Sequence, residues 1–129
     1  RGLLVAIEEG EFVICGWNLA ETPWEAETRV AFAAGERHAV SGVLDAPAGE
    51  LSLWLDGAEV DRTGGAGTLF PHPDDVGLGG IAQSTRFRDG VVRERDGLGF
   101  RGEVEHLALA NDALGEAAIA ALHDELLFA

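Results

Sequence analysis

Hydrophobic residues in this chain recur at every second position, in short runs that turn-forming residues interrupt, and that period belongs to strands. In ELSLWLDGAEVD (50–61), Leu51, Leu53 and Leu55 alternate with Ser52, Trp54 and Asp56. One face of that run is wholly apolar, the other carries a large ring, and Asp56-Gly57 is the pair that a two-residue type I′ hairpin turn demands. LLVAI (3–7) and EFVICGW (11–17) flank Glu8-Glu9-Gly10, whose glycine can take the positive φ of a tight turn. TRVAFA (28–33) and RHAVSGVLD (37–45) predict further strands, as do VGLGGI (76–81) and FRGEVEHLALA (100–110). NLAETPWEAE (18–27), TGGAG (63–67) and PHPDD (71–75) are loops, punctuated by Pro and Gly. AQSTRFRDGVVRERDGLG (82–99) is too charged for core and too long for a simple turn, so it reads as irregular.

Only the end is helical. From Glu116 to Leu127, Ala117, Ile119, Ala120, Leu122 and Leu126 recur at helical spacing, with Gly115 or Asp112 placed to cap the start. Many closely spaced strands followed by one helix predict an all-β antiparallel sandwich rather than a βαβ fold. A chain of 129 residues is of single-domain size. It has no Met, so we expect a piece of a larger protein, with any targeting signal outside it.

Charge narrows the function. Nine arginines, no lysine and 23 acids give a net charge of −14. Such a surface repels phosphate backbones and anionic membranes, so neither nucleic acid nor membrane insertion is expected. The lack of lysine beside abundant Ala, Gly and Arg points to a GC-rich bacterial genome. Cys15 is alone, which excludes an internal disulfide, and its setting among Val13, Ile14 and Trp17 reads as a small buried hydrophobe.

Four ordered motifs resemble the laminin-G-like domains of the concanavalin A-like lectin and glucanase superfamily. That family pairs a strand reading Trp-His-His-Val-Ala-Gly-Val-Tyr-Asp with one reading Leu-x-Leu-Tyr-Val-Asp-Gly. His38, Val40, Gly42, Val43 and Asp45 fall on the first, and Leu51, Leu53, Asp56 and Gly57 on the second. GLGG (77–80) is similar to the family's Ile-Gly-Gly strand, and Gly102, Val104, Leu107, Leu109, Asn111, Ala113 and Leu114 fall on its closing strand and helix. STRFRDG (84–90) resembles an insert of large secreted bacterial proteins, including repeat-in-toxin-type exoproteins. The resemblance implies a two-sheet jelly roll over residues 1–129, in a secreted or cell-surface bacterial protein. Arg37 stands where the pattern has Trp, and Glu105-His106 where it has Asp-Glu. The strands that usually precede Leu3 are lacking, so a neighbouring domain or chain is expected to complete the sheet edge near 103–110.

The superfamily's glucanases resemble one another in Glu-x-Asp-x-x-Glu, whose carboxylates flank the sugar bond. Glu59-Val60-Asp61 and Glu94-Arg95-Asp96 begin that pattern, but Gly64 and Gly99 occupy the last position. No zinc-protease motif, phosphate loop or serine elbow occurs, so no catalysis is expected. The resemblance implies Ca²⁺ at a loop rim, for which Asp74, Asp75, Asp89 and Asp96 are the candidate ligands, against the alternative that they are solvated loop acids. Trp54 and Trp24 are the aromatic candidates for a glycan or protein ligand, with Arg86 and Arg88 of the insert beside them. The competing reading of Trp54 is that the insert or an adjoining domain covers it. His38 reads as structural, His123 as a surface residue beside Asp124, and the four histidines have no metal-ligand spacing. The expected function is non-catalytic recognition or adhesion. The alternative is a structural module docked to other domains or subunits, and a glycan-active enzyme with unusually arranged carboxylates is the weakest of the three.

Overall fold

The computed structural model describes residues 2–10, 12–18, 26–67, 77–80, 84–86, 92–94 and 99–128. These form antiparallel β-structure with one C-terminal helix. The strands are β1 (Gly2–Glu8), β2 (Phe12–Asn18), β3 (Ala26–Ala31), β4 (Val40–Asp45), β5 (Glu50–Leu55), β6 (Ala58–Gly64), β7 (Ser84–Arg86) and β8 (Val92–Glu94), and the helix is α1 (Glu116–Phe128). β1-β2-β3 and β4-β5-β6 are two three-stranded meanders, and β7-β8 is a separate two-stranded ribbon.

Local chemistry sets the turns. Asp56 and Gly57 have φ of 51° and 88°, and Leu55 pairs directly with Ala58, which is the two-residue turn that Asp-Gly predicts. Glu9 and Gly10 likewise have φ of 58° and 69° between β1 and β2.

The two meanders pack with β2 and β3 against β5, and β3 alongside β6. Their core contains Ala26, Leu51, Leu53 and Ala66, with Val30, Phe32, Val40 and Leu44 packed around them. Leu51 and Leu53 are fully buried, each contributing about 1.5–3 kcal/mol of transfer free energy. Where β3 meets β6, the Arg29 backbone N–H donates to Asp61 Oδ2 at 2.8 Å. A side-chain carboxylate there satisfies one of β3's edge donors.

Register shows where this core is left open. Leu3, Val5 and Ile7 pair with Trp17, Cys15 and Val13, which pair in turn with Ala26, Thr28 and Val30. Directly paired residues share a face, so Leu3, Val5 and Ile7 lie on the core-facing side. Ala26 and Thr28 are buried, yet Leu3, Val5 and Ile7 remain 39, 47 and 43% exposed.

The outer face of β4-β5-β6 is covered by residues 113–116 and α1. β5 is therefore enclosed on both sides, and Leu51, Ser52, Leu53 and Trp54 are all buried. Along α1, Ile119 and His123 are the buried pair, four residues apart on one stripe, whereas Ala117 is exposed. The helix lacks a basic residue in its last turn, and Arg37 supplies one from outside: its guanidinium donates to the Leu126 carbonyl at 3.1 Å and pairs with Glu105.

Several predicted elements differ, and β6 runs on to Gly64, into the loop expected over 63–67. The strand expected over 37–45 begins at Val40, because the preceding residues are engaged elsewhere. Asp56 N–H donates to the Ala39 carbonyl, and Asp56 Oδ1 accepts the Ala39 N–H, both at 2.9 Å. The strand expected over 100–110 does not form, and residues 77–80, inside the strand expected over 76–81, are bend and coil. Phe100, Val104, Leu107 and Leu109 are 42, 49, 57 and 78% exposed, since a strand has no stability without a sheet to join. Conversely the insert, read as irregular, contains β7 and β8, which pair antiparallel with β-branched Thr85 and Val92.

Candidate functional site

The site with the most polar chemistry lies on the outer face of β4-β5-β6. Alternation sends Ser41, Val43 and Asp45 of β4, and Ser52 and Trp54 of β5, to the side away from the core. Residues 113–116 close over part of this face, leaving a cavity of about 260 Å³ lined by Asp45, Ser52, Trp54, Glu59, Arg62 and Glu116, among others. Trp54 is 4% exposed, and its indole N–H donates to Ser52 Oγ at 3.0 Å. The ring thus forms part of the cavity wall, and stacking on a sugar requires the cover to move.

Arg62 dominates the rim. Its guanidinium binds both carboxylate oxygens of Glu59, one at 3.0 Å, and also Glu50 Oε2. These bonds pull the Glu59 carboxyl below the usual carboxylate range and push the guanidinium above its own. A glycosidase's acid must be held above that range, so Glu59 beside Arg62 has the wrong electrostatics for protonating a leaving group.

A second cluster fastens α1 to the sheet. His123 is 1% exposed, contrary to the surface position expected from its neighbour Asp124. Its Nδ1 accepts the Gly57 N–H at 2.7 Å, and its Nε2 lies 2.6 Å from Ser41 Oγ. Because Nδ1 is an acceptor, the neutral ring carries its proton on Nε2 and donates it to Ser41. A serine nucleophile needs the opposite arrangement, with Nε2 accepting. Burial lowers the His123 pKa, and the Asp56 carboxylate opposes this more weakly.

On the other side of the same turn, Asp56 Oδ2 bonds His38 Nδ1 at 2.8 Å, and His38 Nε2 donates to the Ala33 carbonyl at 3.1 Å. The Asp56 hydrogen bond raises the His38 pKa. His38 lies ahead of β4 rather than within a strand, and it ties the turn at Asp56 to the Ala33 carbonyl. Asp56 does more than form a turn: it holds His38, the Ala39 N–H and the field at His123. Nothing in sequence spacing links Ser41, Gly57 and His123, because the turn and the helix meet only in three dimensions.

The remaining predicted residues are placed as follows. Arg86 lies in β7, and its side chain is outside the described part. Trp24, Arg88, Asp74, Asp75, Asp89 and Asp96 lie outside the described residues, as does the Cys15 side chain. No group of three or more His, Cys, Asp or Glu among the described residues is arranged to hold a metal ion. No helix among them is long and apolar enough to cross a membrane.

No protein-family model matches the chain, and no curated protein matches it. Among solved structures, it is similar to the crystal structure of an S-layer domain-containing protein (residues 221–444) from Clostridium thermocellum ATCC 27405, with a TM-score of 0.51 and 15% identity. The similarity covers 87% of this chain and 51% of that one, so the chain spans about half the length of the structure it resembles. At that identity the likeness concerns the fold.

Proposed function

We propose that this chain is a non-catalytic, laminin-G-like jelly-roll module of a bacterial secreted or cell-surface protein, and that it works by packing against a neighbouring domain or subunit. The observation that carries this reading is the uncovered core-facing row Leu3, Val5 and Ile7, with Val104, Leu107 and Leu109 exposed on the unpaired stretch 100–110. Burying such an aliphatic side chain from full exposure is worth about 1.5–3 kcal/mol, and the 39–78% of each that is still exposed leaves that share available to a contact that covers it. The partner supplies the strand against which 103–110 can pair, and it covers β1. A fold shared with a chain of an S-layer domain-containing protein supports a surface assembly role. A net charge of −14 speaks against nucleic acid and against membrane insertion. The test is to place Val5→Glu and Leu109→Glu in the intact parent protein. Both positions are solvent-exposed in the isolated chain, so its melting temperature stays near wild type while assembly is lost. Unimpaired assembly in both variants sinks the proposal.

Recognition of a glycan or protein ligand is the second reading, favoured by the cavity in which Trp54, Ser52, Asp45 and Arg62 converge. Trp24, Arg86 and Arg88 belong to this reading as further contacts. Calcium, held by Asp74, Asp75, Asp89 and Asp96, would shape the neighbouring loops.

A further inference from the structure

We infer that His123 is an acid-sensitive clasp that docks α1 on the outer face of β4-β5-β6 and releases it when the imidazole is protonated. Three groups define the clasp. The Gly57 backbone N–H points at Nδ1 from the β5–β6 turn, at 2.7 Å. Ser41 Oγ faces Nε2 from β4, at 2.6 Å. The ring itself is 1% exposed and sits between them. Both ring nitrogens are committed: one must accept, because a backbone N–H has no other role, and the other donates.

Protonation places a second N–H on Nδ1, directly against the Gly57 N–H. Two donors then face each other in a site closed to water, and the Gly57 N–H loses its acceptor. The ring cannot turn over to escape, since a doubly protonated imidazole presents a donor on either side. Relief requires His123 to leave, and with it Ile119, the other buried side chain of the same helical stripe. Gly57 tightens the coupling, because a Cβ there would lie 3.8 Å from the Ala120 Cα. The turn and the helix backbone are already close, and neither can shift alone to restore an acceptor.

The charged surroundings set the operating range. Asp56, on the same turn, favours the imidazolium, but its oxygens are engaged by His38 and the Ala39 N–H. β4 contributes Ser41, which does not titrate. On α1 itself, Asp124 and Glu125 are adjacent in sequence and exposed. Burial outweighs Asp56, so the docked ring is held neutral. Carboxylates titrate near pH 4, which leaves the interval between about pH 5 and 6.5 to the histidines.

The experiment follows α1 by hydrogen exchange from pH 7.5 to pH 5, corrected for intrinsic rates, with histidine Cε1–H resonances recorded on the same samples. Protection of the α1 amides falls as pH drops, by up to about thirtyfold at pH 5, the limit for a ring that is neutral when docked and has a pKa near 6.5 when free. His123→Asn keeps an acceptor for Gly57 but does not titrate, so its α1 protection is independent of pH over this range. His38→Gln retains the wild-type fall. If His123→Asn fails to fold, the wild-type resonances decide the matter: opening of α1 must track the His123 titration. Equal loss of protection in His123→Asn, or opening of α1 while His123 stays neutral, overturns the clasp.

Discussion

Asp56→Ala is predicted to be among the most destabilising changes available at an exposed position. The carboxylate accepts the Ala39 N–H at 2.9 Å, and Ala39 is 6% exposed, so the amide loses its partner in a largely buried setting. An unsatisfied buried N–H costs about 1–3 kcal/mol. The backbone at Asp56 has φ of 51°, where Asp is tolerated and Ala costs about 1–2 kcal/mol. The His38 bond adds less, because the Asp56 side chain is 37% exposed and solvent screens the pair. The total is about 2–5 kcal/mol, a large share of the roughly 5–15 kcal/mol that holds an ordinary domain together. Asp56→Gly separates the contributions: it removes the carboxylate without backbone strain, and should recover about 1–2 kcal/mol relative to Ala. Asp56→Asn keeps both the left-handed preference and one acceptor oxygen, and should cost only about 1 kcal/mol. Urea unfolding monitored by circular dichroism measures all three. An Asp56→Ala variant within about 0.5 kcal/mol of wild type, the range of an inconsequential surface change, would refute this account of the turn.

Other expectations can be checked with the same material. Leu53→Ala opens a cavity in a fully enclosed strand and should cost about 2–5 kcal/mol in urea unfolding. Gly57→Ala forces a side chain onto φ of 88° and should lower the melting temperature measurably, while Arg62→Ala, which removes only exposed ion pairs, should leave it near wild type. His38 and His123 pull stability in opposite directions with pH. His38 has a raised pKa, so its contribution is full below about 6.5 and fades as pH rises through the folded value. His123 has a lowered pKa, so its contribution is full above about 6.5 and fades as pH falls toward the folded value. Unfolding free energy measured against pH should therefore show a maximum near pH 6.5 that His123→Asn broadens on the acid side only. If calcium shapes the loops, excess EDTA lowers the melting temperature, and an unchanged melt removes calcium from the account.

Periodicity and turn chemistry made β1 to β6 and α1 legible to within about three residues, because each has a local cause: alternation, Asp-Gly, or a helical stripe. The stretch 100–110 misled for a physical reason. Alternating apolar residues state that a segment can be a strand, whereas pairing needs a neighbouring strand, and none among the described residues pairs with 100–110. Trp54 shows a different limit. Alternation correctly assigns it to the face opposite Leu53, but only the long-range packing of residues 113–116 decides that this face is covered. His123 stands beside Asp124 on a helix, which in sequence marks a surface position, while the partners that bury it, Ser41 and Gly57, lie 82 and 66 residues away.

The proposed packing role rests on whether the open side of the β-core is closed in the assembled protein. Hydrogen exchange of residues 2–8 and 100–110, compared between the isolated chain and the intact protein, measures this directly. Covering the row Leu3, Val5 and Ile7 and pairing the edge near 103–110 should slow exchange of both segments together in the intact protein. Equally fast exchange in the two samples would mean that nothing packs there, and the assembly role would fall.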